Sequence, residues 1–505
     1  MEIINHFLHQ GPDGRAAEYS KIVRGVNVEL PQAATVLVVG GGGRCHAIVD
    51  ALSRSPKVAR IFCAPGNAGI ASQAECVPIK DNDVEALKAF AVDNGVDLTV
   101  VGPEAALAAG IADSFAEAGL RIFAPSKAAT AIESSKEFAK KLMEKYGIPT
   151  ASYRSFIDYG SAVEYVRGHS YPVVLKYDGL AAGKGVVIAS CFDEACAALK
   201  DMLDDNVYGG DSKVVIEEFL EGPEFSFLCF VDGERVYPML LSQDHKRAYD
   251  GDEGPNTGGM GAYTGLPFVT EADRDFALHS IMEPVAKAMV AEGRPFKGVL
   301  YGGLMKCRDG IKVIEFNARF GDPETEVVLP RLRSDIYDIF SAVADGRDLH
   351  TVSGFENGIQ WSDEPTIGVV MASKGYPAHY EKGFEIKGLE RFADAADAAG
   401  SAGVAGSAGA AVAGAVGAGN VVLSGATDVA GAGNFDGVRV YHMGTSFSDG
   451  HYRTAGGRVL IVVASAPSLS EARDKAYRAV SQIDCPNLFY RKDIGHWALS
   501  GAGNG

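Results

Sequence analysis

Apolar positions recur along this chain in two styles. In the first, short buried-strand patterns stand at 35–39 (TVLVV), 59–64 (ARIFCA), 97–101 (DLTVV) and 120–124 (LRIFA), with helical periodicity between them. Strands alternating with helices predict a parallel sheet covered by helices on both faces, here over residues 35–125. The second style begins at Ser126, a fitting helix N-cap after Pro125. From there β-rich runs are joined by hairpin turns at 231–234 (VDGE) and 307–310 (CRDG), which predicts a largely antiparallel α+β region over 126–345. Further on, VRVYHMGTSF and GRVLIVVAS read as strands and SLSEARDKAYRAVSQI as an amphipathic helix, a small C-terminal α/β unit within 346–498. Residues 1–34 read as an N-terminal extension, and no internal repeat is visible.

Composition narrows the function classes. At 505 residues there is room for about three domains, and 47% hydrophobic with 22% charged residues fits an ordinary globular protein. A net charge of −18 argues against a general nucleic-acid or anionic-membrane surface, so any anionic ligand must meet a local basic pocket. The eight cysteines are scattered without a CxxC pair, and the N-terminus lacks the basic-then-apolar order of a secretory signal; a reduced, cytoplasmic protein is expected. Residues 398–427 carry no charge and are numerous enough to span a bilayer. Their makeup opposes that: 26 of the 41 residues of 393–433 are Ala or Gly and none is aromatic, so the tract reads as a flexible insertion.

Three stretches carry candidate chemistry. The run KYDGLAAGKGV (176–186) resembles a phosphate loop, but only three residues separate Gly179 from Gly183-Lys184, and Gly185 follows where a P-loop needs a hydroxyl for magnesium. Something else must hold a metal. In KVIEFNARFGDPETE (312–326), Glu315 and Asn317 stand two apart on a strand and so share a face, offering a carboxylate and an amide oxygen of the kind a hard cation accepts beside nucleotide phosphates. The plainer reading is a solvated strand face. Lys176 closes an apolar strand just before the glycine loop, where packing does not explain it and a phosphate would. Lys140, Lys141 and Lys145 on the 135–146 helix read as a solvated face. At the first loop, GGGGRCHAI (40–48), Cys45 occupies the third-glycine place of a dinucleotide fingerprint and no acid follows near 60–64, which disfavours nicotinamide and flavin. A strand, a glycine turn and a helix N-terminus with Arg44 suit a single phosphate.

Taken in order, GGGGRCHA, APGNAG, VGPEAALAAG, KYDGLAAGKGV, IEEFLEGPEFS, SQDHKR, GPNTGGMGAY, EFNARFGDPETE and FYRKDIG resemble the phosphoribosylamine–glycine ligases, ATP-grasp enzymes also called glycinamide ribonucleotide synthetases. The resemblance runs from about 35 to 495, leaving out the first 34 residues and the Ala/Gly tract. It implies an ATP-grasp fold between two α/β units and ATP-dependent ligation of glycine to 5-phosphoribosylamine through a glycyl phosphate, with Mg2+ or Mn2+. By the same resemblance Lys136, Lys176 and Lys184 meet ATP phosphates, Glu217 and the backbone near Leu220 the adenine, and Glu224 the ribose. Glu315 and Asn317 hold the metal; Asp244 and Arg319 engage glycine and, with Lys176, are the expected catalytic residues. Gly42, Gly43 and Arg44, with Asn256, Thr257, Gly258 and Gly259, take the phosphoribosylamine. No nucleic-acid or membrane partner is implied, and a monomer is the working expectation. A ligase for a different acid or amine, or an inactive binding protein, are the rivals; turnover with several amino acids and ATP consumption separate them.

The family pattern at 43–46 is Gly-Arg-Glu-His, and here Cys45 replaces the glutamate. Beside a helix N-terminus and Arg44 its thiol has reason to be reactive and ligand-protected, or else it is an inert core cysteine. The Ala/Gly tract yields a test of its own. A short turn in place of 393–433 is expected to leave expression and turnover near normal, because loop-closure entropy changes slowly with length; loss of soluble protein in the deletion would contradict the insertion reading.

Overall fold

The computed structural model describes residues 33–179, 185–209, 212–392 and 435–499. Lys184, nearly all of the extension 1–34 and the tract 393–433 therefore lie outside the described residues. The first apolar runs form a five-stranded parallel sheet in the spatial order Glu75–Cys76, Val58–Pro65, Ala34–Gly40, Leu98–Val101, Ile122–Phe123. Its central strands are buried almost throughout, as all-parallel sheets covered on both faces require. Ser126 caps the next helix, Lys127–Ser134, its hydroxyl accepting the Ala129 N–H.

Two antiparallel sheets follow. One has four strands, ordered Tyr153–Phe156, Val214–Glu218, Val173–Tyr177, Val186–Ala189. The other has ten, with the path Gly310–Asn317, Lys297–Cys307, Glu224–Asp232, Ser242–Asp244, Gly261–Thr264, Thr366–Ser373, Arg458–Ser465, Val438–His442, and Arg235–Pro238 and Leu488–Phe489 pairing at its flanks. Both expected hairpins are present: Asp232 pairs with Arg235, and Cys307 with Gly310. The parallel sheet with antiparallel α+β and terminal α/β parts is thus the observed fold class. The large sheet runs across residue 345, however, because Gly261–Thr264 pairs with Thr366–Ser373. Thr366–Ser373, Arg458–Ser465 and Val438–His442 extend that sheet, with helix Leu469–Val480, opened by a Ser468–Glu471 capping box, packed over them, while Glu385–Ile386, His451–Thr454 and Thr445–Ser448 form a separate three-stranded antiparallel sheet.

The same C-terminal strands grip the first glycine turn. His442 donates its backbone N–H to His46 Nδ1 at 2.8 Å, Tyr441 donates its hydroxyl to Asp50 at 2.9 Å, and Asn67 Nδ2 donates to the carbonyls of both Gly41 (2.8 Å) and His442 (2.7 Å). Burial pushes His46 down to about 4 and His442 to about 3, so both rings are neutral at pH 7.

Cys45 follows its inert reading. It is 1% exposed, its Sγ lies 3.6 Å from the Val39 carbonyl, and its thiol occupies the room left by two glycines: a Cβ on Gly40 would come 2.4 Å from Sγ, and one on Gly102 would come 2.5 Å. Burial pushes its pKa up to about 12 against the opposing pull of Arg44. The helix N-terminus beside it does not compensate for a dry surrounding. In the native protein an alkylating agent is expected to modify exposed Cys191 and leave Cys45 untouched, as read by peptide mass spectrometry. Equal labelling of the two would contradict this placement.

Candidate functional site

Two adjoining cavities open between the four-stranded sheet, the ten-stranded sheet and helix Lys136–Tyr146. The larger, about 330 Å³, is lined by Arg44, Glu133, Lys136, Lys140, Lys176, Glu217, Asp244, Lys246, Glu315, Asn317, Arg319, Asp322, Glu324 and Arg458 among others. The smaller, about 210 Å³, is walled by Val174, Val186, Ile188, Phe219, Leu220, Met305 and Ile314, with Glu224 and Asn256 at its polar side. Lys176, Glu217, Thr257 and Glu315 line both, so an apolar chamber leads into a charged one.

Helix Lys136–Tyr146 starts at Ser135, whose Oγ accepts the Phe138 N–H at 3.1 Å. Lys136, Ala139, Lys140 and Met143 stand at i, i+3, i+4 and i+7, and that stripe faces the larger cavity. Lys136 Nζ donates to the Gly179 carbonyl at 2.6 Å at the start of the glycine loop. Burial lowers its pKa, with the Glu315 charge opposing. Lys141 and Lys145 are exposed as expected. Lys140 is not: it is 2% exposed and lies 2.9 Å from Glu217 Oε2. A solvated face is wrong for Lys140 because it shares the inward stripe with Ala139 and Met143, a periodic signal present in the sequence.

Lys176 and Glu217 sit on neighbouring strands of the small sheet. Lys176 Nζ lies 3.0 Å from Glu217 Oε2 and donates to the Ile314 carbonyl across the cavity at 2.8 Å. Glu217 Oε1 has no hydrogen-bond partner among the described residues. A buried acceptor left open at the mouth of an apolar chamber fits a ligand that brings an N–H, as the amine of adenine does. On the opposite wall Asn317 Nδ2 donates to Glu315 Oε1 at 3.3 Å, so the two do share a face, and that face lines the cavity. Burial raises the pKa of Glu315, but Lys176, Lys246 and Lys136 outweigh it and hold the carboxylate ionised. One carboxylate and one amide oxygen fit magnesium or manganese only when phosphate oxygens and water complete the shell. Among the described residues no group of three or more His, Cys, Asp or Glu forms a metal cage.

The DHKR run also turns inward. Lys246 Nζ lies 2.6 Å from Glu224 and 3.0 Å from Asp244; burial opposes its charge, yet those two carboxylates hold its pKa well above the lysine range. Arg319 lies 3.3 Å from Glu133 and 3.5 Å from Glu104, and donates to Asn317 Oδ1 at 3.2 Å. Tyr301 donates its hydroxyl to Glu324 at 2.8 Å.

At the far end, Gly42 caps helix Gly43–Ser53 and Arg44 pairs with Asp322 at 3.4 Å. Arg458 contacts the other Asp322 oxygen at 2.9 Å and donates to the Gly258 carbonyl at 2.8 Å. The Asp322 carboxylate, penalised by burial, is kept below its ordinary pKa by Arg458 and Arg44. Arg44 and Gly258 therefore converge, with Thr257 nearby. Gly42, Gly43 and Gly259 line neither cavity, and Gly43 and Gly259 instead permit close approach. A Cβ on Gly43 would fall 2.3 Å from Glu326 Oε1, and one on Gly259 would fall 2.5 Å from Pro323. Asn256 lies on the apolar chamber, away from Arg44.

Sequence reasoning missed Lys140, Glu133, Tyr301, Asp322, Glu324 and Arg458. Arg458 opens the apolar strand Arg458–Ser465 much as Lys176 closes another, and the same argument would have found it. Asp322 and Glu324 stand in the acidic run that follows Glu315 and Asn317. Glu133 and Tyr301 carry no local signal.

Comparison with known proteins gives the family. The phosphoribosylglycinamide synthetase N domain matches residues 34–133, its ATP-grasp (A) domain 134–325 and its C domain 417–497. Phosphoribosylamine–glycine ligase of Halalkalibacterium halodurans is 45% identical over 92% of this chain and 97% of its own length, and that of Caldanaerobacter subterraneus is 45% identical over 91% and 99%. The crystal structure of the Thermotoga maritima phosphoribosylamine–glycine ligase superposes with a TM-score of 0.72 at 27% identity, covering 91% of this chain and 100% of that one. The biotin carboxylase domain of Hydrogenobacter thermophilus 2-oxoglutarate carboxylase shares the fold, with a TM-score of 0.64 at 16% identity over 90% and 91%. The chain belongs to the phosphoribosylamine–glycine ligase family.

Proposed function

We propose that ATP lies across the two cavities, its base in the apolar chamber and its phosphates in the charged one. Glycine and 5-phosphoribosylamine then enter from the side of Arg44. The chain is a carbon–nitrogen ligase of de novo purine biosynthesis, joining glycine to 5-phosphoribosylamine with ATP to give glycinamide ribonucleotide, ADP and phosphate. The observation that carries the site reading is one wall bearing Glu315 and Asn317 opposite Lys136 and Lys176, both of which act electrostatically on Glu315.

In this reading Glu217 Oε1 accepts the adenine amine beside Leu220, Glu224 meets the ribose, and Lys136, Lys176 and Lys184 hold the phosphates. Arg319 takes the glycine carboxylate and Asp244 its ammonium, presenting a carboxylate oxygen to the γ-phosphorus. That oxygen forms the new P–O bond as the bond to ADP breaks, giving glycyl phosphate. The amine of phosphoribosylamine attacks the carbonyl carbon, an amide forms, and phosphate leaves with the amine's proton released. Glu315 and Asn317 would hold Mg2+ or Mn2+, which neutralises phosphate charge when bound. Preorganised positive groups supply most of the acceleration in such transfers. Arg44, Asn256, Thr257 and Gly258, on backbone shaped by Gly42, Gly43 and Gly259, would receive the phosphoribosylamine.

A monomer is the working unit of this reading. All eight cysteines are free, which supports a reducing, cytoplasmic setting, and among the described residues no helix is long and apolar enough to cross a membrane. We divide the chain near 125 and 345, the second boundary falling at the end of helix Ile336–Asp345, between strands of one continuous sheet.

Replacing Glu315→Gln keeps shape and removes a metal-binding charge. The variant is expected to lose about a hundredfold in turnover, the scale of one preorganised electrostatic group, and to bind Mn2+ more weakly. The readouts are ADP release that requires both glycine and phosphoribosylamine, and Mn2+ titration. Near-normal turnover with unchanged Mn2+ affinity would place the metal elsewhere.

A further inference from the structure

We propose that Lys140 sets nucleobase selectivity: it is the standing counterion that keeps Glu217 a hydrogen-bond acceptor, so that the site takes a purine with an exocyclic amine over one with a ketone. The proposal deepens the nucleotide placement given above and rests on it.

The geometry separates two lysines that meet one carboxylate. Both reach the same oxygen, Glu217 Oε2, Lys140 at 2.9 Å and Lys176 at 3.0 Å, while Oε1 stays open. Lys140 spends its other two donors inside the protein, on Thr150 Oγ1 at 2.8 Å and the Ala151 carbonyl at 3.2 Å. An ammonium has three N–H groups, so Lys140 has none left for a ligand. Lys176 has one further contact, to the Ile314 carbonyl, and keeps a donor for the charged chamber. Once a phosphate engages Lys176, its attraction is shared between two anions, and Lys140 becomes the undivided partner of Glu217.

That matters because Glu217 is 4% exposed. A carboxylate in so dry a place without a dedicated cation takes up a proton instead of standing charged. The protonated group is an O–H donor, which matches the 6-keto oxygen of hypoxanthine and no longer requires the 6-amino group of adenine. Lys140 itself is lowered to about 8 by burial, with the Glu217 charge opposing. Thr150 keeps it in place, its hydroxyl donating in turn to the Val313 carbonyl at 2.7 Å.

The test is a double-mutant cycle on the ratio of kcat/KM for ATP to that for inosine triphosphate, in the full chain with Mg2+, glycine and phosphoribosylamine. A site built to bond a substrate N–H discriminates strongly against its absence, so the unaltered chain is expected to favour ATP by at least about a hundredfold. Lys140→Met is expected to cut that preference by about tenfold or more, and Glu217→Gln to collapse it. In the Glu217→Gln background, which needs no counterion, adding Lys140→Met is expected to change the ratio by less than about twofold. Thr150→Val, which removes one of the three acceptors of Lys140, is expected to shift the ratio in the same direction by a smaller factor; it serves if Lys140→Met does not fold. Equal losses for both nucleotides in Lys140→Met, an unchanged ratio in Thr150→Val, or a full additional factor in the Glu217→Gln background would overturn the role of Lys140. An unchanged ratio in Glu217→Gln would instead overturn the placement of the base at Glu217.

Discussion

Charges buried this densely are tolerable only where they alternate. Lys140, Glu217 and Lys176 form one such chain, Glu224, Lys246 and Asp244 a second, and Arg44, Asp322 and Arg458 a third. The first joins helix Lys136–Tyr146 to the small sheet, and its Lys176 also bonds the Ile314 carbonyl of the large sheet; the third joins the glycine turn to the large sheet, whereas the second lies along the large sheet itself. Removing one partner of a fully buried pair such as Lys140 and Glu217 costs about 3–5 kcal/mol, since the other is left uncompensated, whereas the pairing of Lys246 with Glu224, 37% and 31% exposed, is screened by water and counts for less. The pairing therefore ties the small sheet, the large sheet and the glycine turn into one arrangement, and it leaves a cavity whose walls already carry the charges that phosphates, a divalent cation and a zwitterionic amino acid would meet.

The C-terminal part belongs to that arrangement. Arg458 reaches the Gly258 carbonyl and Asp322, and the Tyr376 hydroxyl accepts the Gly258 N–H at 3.0 Å. The terminal FYRKDIG run has its own work. Arg491 is 1% exposed and bonds Asp252 at 2.8 Å, Asp493 at 2.7 Å and the Arg247 carbonyl at 3.1 Å, while Gly495 donates its N–H to His245 Nε2 at 3.0 Å. These bonds fix the hairpin of Arg247–Tyr249 and Glu253–Asn256, which leads into the Thr257–Gly259 turn beside the cavity. A buried arginine with bidentate and carbonyl partners is a rigid peg.

Much of this was legible. Period-two and helical patterns marked the strands of the parallel sheet, the hairpins at 232–235 and 307–310, and the terminal helix. The shared face of Glu315 and Asn317 followed from strand geometry alone, and the misfit of Lys176 from its place at the end of an apolar run. What local pattern could not tell is which distant segments pair. Nothing near 262 or 368 announces that these strands join two parts of the chain. Glu133 and Tyr301 acquire their roles only from neighbours more than 20 residues away. Lys140 and Cys45 were misjudged or left open for one reason: sequence shows residue type and spacing, whereas protonation and reactivity follow from burial. A lysine next to Lys141 reads as solvated until the stripe of Ala139 and Met143 is given weight.

In the proposed reaction the charged chamber delivers the γ-phosphoryl group of ATP to a carboxylate oxygen of glycine. Glycine carrying heavy oxygen in both carboxylate positions tests it directly, with products followed by mass spectrometry. One labelled oxygen per turnover should appear in inorganic phosphate, with the other retained in the amide of the product and none in nucleotide. Label in AMP, or phosphate wholly free of label, would contradict it.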